Sequence, residues 1–199
     1  MRPVAGLPDL ADLADRTVDD PRTAIESGPP GVERERILAL LDACAGTDSG
    51  PGVLDRTCRP GHLTGSALVV DPVDRRILVL FHTKLQRWLQ PGGHADGDAD
   101  LGRVALREAT EETGIAGLRL VEPPVDLDVH VVDPPAEDAH EHHDVRYLVV
   151  APLGSVPEGN HESEALQWVA RTDLADLGVD AGLLRLADRA LRRLEDLGT

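Results

Sequence analysis

Three glutamates on one short stretch, Glu108, Glu111 and Glu112, have the types and spacing that most clearly suggest chemistry in this sequence. Asp100 is a suitable helix N-cap and Gly114 suits the left-handed residue past a helix end, so a helix of about three and a half turns is predicted between them. Side chains three and four residues apart lie on one side of a helix. The carboxylates would repel one another without a cation, and their hard oxygens favour magnesium, with manganese as an alternative.

The residues that flank this helix favour a cation site over a solvated acidic surface, which is the usual meaning of an acidic run. Pro91, Gly92 and Gly93 precede the helix and Ile115 follows its end. Adjacent glycines permit backbone conformations and close approaches that other residues do not. The carbonyl of Gly92 is therefore a further candidate ligand.

Residues 93–115, GHADGDADLGRVALREATEETGI, fit the pattern GX5EX7REUXEEXGU, where U is a bulky apolar residue, at all but two positions. This segment resembles the signature of the Nudix hydrolases. The resemblance covers roughly residues 62–195 and implies a metal site that includes Glu108, Glu111, Glu112 and the Gly92 carbonyl. It also implies an α/β/α sandwich and hydrolysis of a diphosphate linkage.

Two positions depart from the pattern. Ala109 is small for an apolar position, and Ala99 stands where the family usually has a glutamate that helps, with the arginine of the motif, to hold the loop against the helix. Arg107 must then find another carboxylate, and Asp98 or Asp100 could give a bidentate contact. The opposing interpretation is a degenerate motif that only binds ligands.

Hydrolysis also requires a base in reach of the metal site and the attacking water. Glu162 is the first choice because it lies six residues before Trp168, and in several members of the resembled family a carboxylate at about this distance reaches the metals. Glu164 is the second choice. The alternative is that Glu162 is a surface residue of a loop.

Four residues are predicted to contact substrate. If the strand alternates from His142, then His142 and Arg146 share a face, and Arg146 is a candidate contact for phosphate or ribose, although a surface ladder is the competing interpretation. Trp88 adjoins the glycines and is a candidate stacking residue or a core residue. His94 directly follows the glycines.

Three histidines within four residues, His140, His142 and His143, raise the question of zinc. A zinc site normally needs further ligands, and this segment could form a flexible turn. The sequence therefore does not favour zinc here.

Composition limits the partners and the location. The formal net charge is -16 and the pI is near 4.7, so nucleic acid polymers would be repelled and a small-molecule diphosphate is the expected substrate. Cys44 and Cys58 are too few for a disulfide scaffold. The N-terminal segment lacks the apolar core of a secretory signal, and no stretch is long and apolar enough for a membrane span. We expect a cytoplasmic protein with no membrane partner; a homodimer is left open.

The chain divides near residue 60. Residues 1–59 are expected to be a helical N-terminal extension with helices near Leu7–Arg16 and Val32–Ala45, and residues 60–199 the Nudix-like domain. Within the domain, residues 62–81 predict a β-hairpin, residues 125–132, 144–151 and 165–170 predict strands, and residues 183–194 an amphipathic helix. Strands before and after a central helix favour an α/β fold with a mixed sheet covered on two faces.

Together these features predict a magnesium-dependent pyrophosphohydrolase. Its metal-activated water would attack the diphosphate linkage of a nucleoside diphosphate joined to another moiety. Glu111, Arg107 and Glu162 are the predicted catalytic residues. A catalytically weak ligand-binding or regulatory module is the alternative, favoured by Ala99 and by the extension. Diphosphate isomerisation is a third interpretation, but the surroundings of Cys58 do not resemble the motif of the isopentenyl diphosphate isomerases.

Overall fold

The computed structural model describes residues 18–45, 52–133 and 138–198. They form seven strands and four α-helices. The strands are β1 (Gly61–Val70), β2 (Ile77–His82), β3 (Arg87–Leu89), β4 (Gly92–His94), β5 (Arg119–Val132), β6 (His140–Val150) and β7 (Ser163–Val169). The helices are α1 (Pro21–Ser27), α2 (Val32–Cys44), α3 (Leu101–Thr113) and α4 (Ala181–Leu197), and a 3₁₀ helix covers Arg171–Leu177.

The strands form one mixed sheet in the order β3-β2-β1-β6-β5, while β4 pairs with β1 and β7 pairs with β2. β1 and β6 are parallel from Gly61 opposite Glu141 to Val70 opposite Val150, and the other pairs are antiparallel. The hairpin predicted from residues 62–81 is confirmed as β1 and β2. The parallel pair is the feature that brings residues 80 positions apart into contact.

Helices cover both faces of this sheet, so the predicted sandwich is confirmed. Successive residues of β1, such as Ala67 and Leu68, belong to different hydrophobic clusters because side chains alternate along a strand. The first cluster lies under α1, α2 and α3, and the second lies under α4. Among the described residues, no helix has both the length and the apolar character that crossing a bilayer requires.

The central helix α3 begins and ends where the sequence predicts. The side chain of Asp100 accepts a hydrogen bond of 2.8 Å from the backbone N–H of Arg103, and Gly114 closes the helix at a φ of 65°. A Cβ on Gly65 would stand 2.6 Å from the carbonyl oxygen of Leu101. The missing side chain at Gly65 thus allows α3 to lie directly on β1, which fixes the helix relative to β4.

The N-terminal segment is only partly described. The predicted helix near Leu7–Arg16 lies outside the described residues, whereas the helix predicted near Val32–Ala45 is confirmed as α2. The preceding α1 was not predicted, and the side chain of Asp20 caps it. Ile25 and Ile37 are buried in the same cluster as the sheet, so both helices share the core of the domain.

Candidate active site

One cleft of about 620 Å³ brings together most of the residues that the sequence predicts for the site. Its walls include the second half of α3, the glycines of β4, the ends of β2 and β3, and alternate residues near the middle of β1 and in the first part of β6. Glu108, Glu112, Glu162, His94 and His142 all line it. The cleft is therefore acidic along α3 and rich in imidazole where β1, β4 and β6 meet.

Glu112 is the most buried carboxylate of the predicted metal set, with 5% of its surface exposed. One of its oxygens, Oε2, accepts a hydrogen bond of 3.0 Å from the backbone N–H of Gly92. Burial, together with the charges of Glu108, Glu162 and Glu111, raises the pKa of Glu112 to about 8, although the hydrogen bond from Gly92 opposes this shift. Negative charge is thus in excess around this carboxylate, which is the condition that a bound cation relieves.

Glu108 and Glu111 take different positions on the same helix. Glu108 lies against Gly93, where an added Cβ would stand 2.6 Å from its Cδ and within 2.9 Å of both carboxylate oxygens. Glu111 is exposed, and its backbone carbonyl accepts a hydrogen bond of 3.2 Å from the Asn160 side chain. The structure therefore brings Glu108 and Glu112 into the cleft, whereas Glu111 is exposed and does not line it.

Arg107 contacts Glu108 more closely than it contacts the loop. Its Nη2 donates to Glu108 Oε1 at 2.8 Å and to the His94 carbonyl at 3.3 Å, whereas its Nη1 lies 4.0 Å from Asp98. Asp98 makes its bidentate contact with Arg103, at 2.9 and 2.5 Å. The expected bidentate pair with Arg107 is thus replaced by a long contact, because Arg103 lies nearer to the loop carboxylate.

The two candidate bases point to different places. Glu162 lines the cleft, and its side chain is 44% exposed. Its charge also contributes to the raised pKa of Glu112, after burial and Glu108, so the two carboxylates interact electrostatically. Glu164 accepts a hydrogen bond of 2.8 Å from the Gln86 side chain and is not among the residues that line the cleft.

Among the predicted substrate contacts, Trp88 and Arg146 are engaged elsewhere. Trp88 lies between two cleft residues of β3, and its own ring contacts Phe81 at a centroid distance of 5.4 Å. Arg146 is 3% exposed on the cleft floor and pairs with Asp144 at 2.6 Å and Asp128 at 2.8 Å. The charge of this guanidinium is therefore already matched by carboxylates.

The histidines predicted for the site do reach the cleft. His140, His142 and His143 belong to β6 instead of a turn, because their strand pairs with β1 on one side and β5 on the other. His142 faces the cleft with His94, while His143 points to the opposite face and contacts Glu141 at 3.0 Å. Burial, followed by the charges of His94 and His62, lowers the pKa of His142 to about 2.

Three residues at or next to the cleft were not predicted from the sequence. Lys84 and Arg87 line the cleft from the turn between β2 and β3 and from β3 itself, and they bring positive charge to an acidic site. His62 lies in β1, at a place set by the parallel pairing of β1 and β6. The single lysine of the chain was a possible signal, but neighbours of His62 in sequence give no hint of its partners.

Comparisons with known proteins agree with this geometry. The NUDIX domain model matches residues 62–190. A putative 8-oxo-dGTP diphosphatase 3 of Mycobacterium tuberculosis (strain ATCC 25618 / H37Rv) is 32% identical over 97 residues, which are 48% of this chain and 42% of that protein. The chain thus matches less than half the length of this curated relative.

Two solved structures share the fold at low sequence identity. The C. elegans Ap4A hydrolase in a binary complex has 17% identity and a TM-score of 0.56, with 67% of this chain and 98% of that chain covered. The E. coli dihydroneopterin triphosphate pyrophosphohydrolase has 15% identity and a TM-score of 0.56, with coverages of 68% and 97%. At these identities the similarity concerns the fold alone.

Proposed function

The chain belongs to the Nudix family, and from this premise we propose that it hydrolyses a diphosphate linkage in a small molecule with the help of a divalent cation. The observation that carries the proposal is the position of Glu112, which is buried in the cleft wall beside Glu108 and bonded to Gly92. An isolated buried carboxylate is costly unless it is paired or bound to a metal. A cation site explains why this carboxylate is held there.

The donor set fits magnesium, with manganese as the alternative. Glu108, Glu112 and the Gly92 carbonyl would hold the cation, with the exposed Glu111 of the same helix as an additional carboxylate. All of these are oxygen donors, which magnesium prefers. When bound, the cation neutralises the diphosphate and lowers the pKa of a coordinated water. The close approach of Gly93 to Glu108 supports the same proposal, because any side chain at residue 93 would displace that carboxylate.

We assign the base to Glu162 and a positioning role to Arg107. Glu162 is in the cleft and partly open to water, so it can accept the proton of the attacking water, whereas Glu164 is bonded to Gln86. Arg107 contacts Glu108 and the His94 carbonyl at once, and it would hold that glutamate in place. Ala99 is compatible with this arrangement because Arg107 does not depend on a loop carboxylate at close range.

The substrate is proposed to carry a nucleoside diphosphate linked to another moiety. The cleft lies within the range of about 300 to 1,000 Å³ that is usual for small-molecule sites. Lys84 and Arg87 would contact phosphate oxygens that face away from the cation. The similar proteins named above are called hydrolases of Ap4A, dihydroneopterin triphosphate and, as a putative activity, 8-oxo-dGTP, which favours a nucleotide-like substrate.

The residues first considered as substrate contacts separate into two groups. His94 and His142 line the cleft and remain proposed contacts. For Arg146 we propose that it orients the carboxylates of the floor, since Asp144 also accepts hydrogen bonds of 2.9 and 2.8 Å from Thr64 and Ser66. Trp88 would support the β3 wall through Phe81 instead of stacking on a base.

We further propose that residues 1–59 are an extension that supports the domain formed by residues 60–199. The described part of this extension includes α1 and α2, which bury Ile25 and Ile37 against the sheet. Within the described part of the extension, Arg56 lines the cleft and pairs with Asp96, and no carboxylate lines it. Its proposed role is therefore structural.

A ligand-binding or regulatory module without hydrolysis is the second candidate. It is favoured by the close pairing of Arg107 with Glu108, because that contact competes with a cation for the same carboxylate. Phosphorus NMR of a substrate panel incubated with magnesium separates hydrolysis from binding alone. The panel contains nucleoside triphosphates, dinucleoside polyphosphates, nucleotide sugars and prenyl diphosphates. Magnesium-dependent cleavage at a diphosphate linkage is expected. Calorimetric binding of a panel member with no cleavage of any would contradict hydrolysis and support the module.

A further inference from the structure

Five of the eight histidines of the chain lie together where β1, β4, β5 and β6 meet. We call His62, His94, His130, His140 and His142 the histidine cluster. The ring centroid of His62 lies 5.0 Å from those of His94 and His140 and 4.9 Å from that of His142. His130 joins the cluster through His142, at 5.6 Å. The cluster is distinct from the carboxylates of α3.

Strand register explains how residues far apart in sequence form this cluster. His62 is directly opposite His142 in the parallel pair of β1 and β6, and His130 is opposite His142 in the antiparallel pair of β5 and β6. His94 pairs with Thr64, two residues from His62, so its side chain is a diagonal neighbour on the same face. His140 is two residues before His142 and shares its face. The cluster is thus fixed by the sheet and not by a loop.

His62 is the central residue, and its polar atoms are poorly satisfied. Only 1% of its surface is exposed, and neither ring nitrogen has a hydrogen bond of good geometry, although the Cys58 backbone lies nearby. A buried polar group left unsatisfied costs about 1 to 3 kcal/mol. The neighbouring rings of His94, His140 and His142 offer more imidazoles at van der Waals distance and no carboxylate. Ring nitrogens that each carry a lone pair are thus close together, which is the arrangement found among the ligands of a metal ion.

We propose that His62, His94 and His142 bind a borderline divalent cation such as Zn²⁺ at a second metal site, additional to the carboxylate site and independent of the proposed hydrolysis. One ring nitrogen of each residue lies within 4.8 Å of the others. In a tetrahedral zinc site with Zn–N bonds of about 2.0 to 2.1 Å, nitrogens lie about 3.4 Å apart, so small rotations of the side chains complete the geometry. Imidazole favours Zn²⁺, Ni²⁺ or Cu²⁺, whereas Mg²⁺ prefers oxygen.

The other two histidines supply the surroundings that such a site needs. His140 Nδ1 is 2.7 Å from the Asp138 carbonyl, so this nitrogen is the donor and the ring orientation is fixed. His130 Nδ1 is 3.0 Å from Asp128 in the same way. The ring of His140 lies 5.0 Å from that of His62, and the ring of His130 lies 5.6 Å from that of His142, so two oriented rings pack against proposed ligands. Because His94 and His142 line the cleft, the fourth coordination position would face the same space as the substrate.

The test is direct titration of the full-length protein with Zn²⁺ and with Co²⁺, by calorimetry and by visible absorption, after transition metals have been removed and with excess Mg²⁺ present to occupy the carboxylate site. One site per chain is expected, with a cobalt spectrum typical of tetrahedral nitrogen coordination. His94→Gln and His142→Gln are each expected to weaken the affinity at least tenfold, and they spare the fully buried His62. His62→Gln should have the same effect if the variant folds, as judged by its melting transition.

Two variants serve as matched controls. His161→Gln removes a histidine whose side chain is 90% exposed, and its affinity should equal that of the wild type. Glu112→Gln removes a proposed carboxylate ligand and should also leave Zn²⁺ affinity unchanged, so failure of the hydrolysis proposal would not affect this result. Equal affinity in the wild type, His94→Gln and His142→Gln would overturn the proposal, as would loss of Zn²⁺ binding in Glu112→Gln.

The two cysteine thiols, Cys44 and Cys58, are softer candidate ligands for the same cations. Cys44 Sγ and Cys58 Sγ lie 3.9 Å apart. A sulfur-to-cobalt charge-transfer band in the near ultraviolet would show that the cation is held there, which would overturn the histidine site. Absence of that band, with unchanged affinity in Cys44→Ser, supports it.

Discussion

The backbone N–H of Gly92 donates a hydrogen bond of 3.0 Å to Glu112 Oε2, and this contact joins strand β4 to helix α3. The two residues are 20 positions apart, so the loop between β4 and α3 must reverse the chain and bring the second half of the helix back to the strand. Asp98 stabilises that loop by pairing with Arg103, and Asp100 caps the helix. The proposed cation site thus depends on a closed loop whose geometry is set by carboxylates that are not themselves ligands.

Gly93→Ala is expected to reduce turnover at least tenfold and to raise the magnesium concentration required for half-maximal activity. The new Cβ would stand 2.6 Å from Glu108 Cδ, so the carboxylate must move out of its position. Steady-state rates as a function of magnesium concentration measure both effects. Gly52→Ala is the control, because a Cβ there meets nothing within 4 Å. Equal rates and equal magnesium dependence in Gly93→Ala would exclude Glu108 from the cation site.

Glu162→Gln is expected to lower kcat by about 10²- to 10⁴-fold, the usual contribution of a general base. Glu164→Gln should change kcat by less than about threefold, because Glu164 contacts Gln86 outside the cleft. The pH dependence of kcat separates a base from a structural residue, since only loss of the base removes an acidic limb from the profile. The reverse ranking of the two variants would assign the base to Glu164.

Ala99→Glu is expected to leave activity unchanged or lower. Arg107 already contacts Glu108 at 2.8 Å and Asp98 at 4.0 Å, and a further carboxylate between Asp98 and Asp100 would add like-charge repulsion. Pyrophosphohydrolysis of the best substrate at saturating magnesium provides the comparison. A tenfold gain, about 1.4 kcal/mol of transition-state stabilisation, would instead indicate a site that had decayed from an active ancestor.

The sequence predicts local structure well here because the signals are local. The cap at Asp100, the left-handed position at Gly114 and the hairpin of β1 and β2 all follow from residues within a few positions of one another. The family motif then placed Glu108, Glu112 and Gly92 in one region because its spacing reflects the same helix and loop. The caps and the hairpin can be predicted from physical principles alone. The grouping of Glu108, Glu112 and Gly92 also requires the resemblance to the family.

The histidine cluster and the partners of Arg146 could not be predicted in the same way. His62 meets His142 through a parallel pair of strands, and no short-range pattern encodes which strands become neighbours. Arg146 was expected to be free for substrate, but Asp126 and Asp128 on β5 lie beside it and match its charge. Which charges pair between strands depends on the register of the neighbouring strands. The alternation of side chains predicts the face on which a residue lies but not this register.

Glu122→Gln is expected to stabilise the protein increasingly as pH rises from about 4.5 to 8. Burial, followed by the charge of Asp100, raises the pKa of Glu122 from 4.5 to about 7. A carboxyl whose pKa is raised by folding favours the folded state fully below its unfolded pKa, and that contribution is lost as pH rises through the folded value. Each unit of difference is about 1.4 kcal/mol, or roughly 3 to 6 °C in Tm.

Thermal unfolding at a series of pH values measures this effect. The difference in Tm between Glu122→Gln and the wild type should be near zero at pH 4.5 and positive at pH 8. Glu158→Gln, on an exposed residue, should show no such trend. A constant difference across the pH range would mean that Glu122 titrates normally in the folded protein.

The measurement that bears most directly on the central claim is the turnover of Glu112→Gln on the best substrate at saturating magnesium, beside its Tm at pH 8. Glutamine keeps the size of the side chain and an oxygen for the Gly92 N–H, but removes an anionic ligand. Turnover should fall by on the order of a hundredfold or more, while Tm should not fall, because an uncompensated buried charge is removed. Wild-type turnover in this variant would contradict the proposed cation site at Glu112.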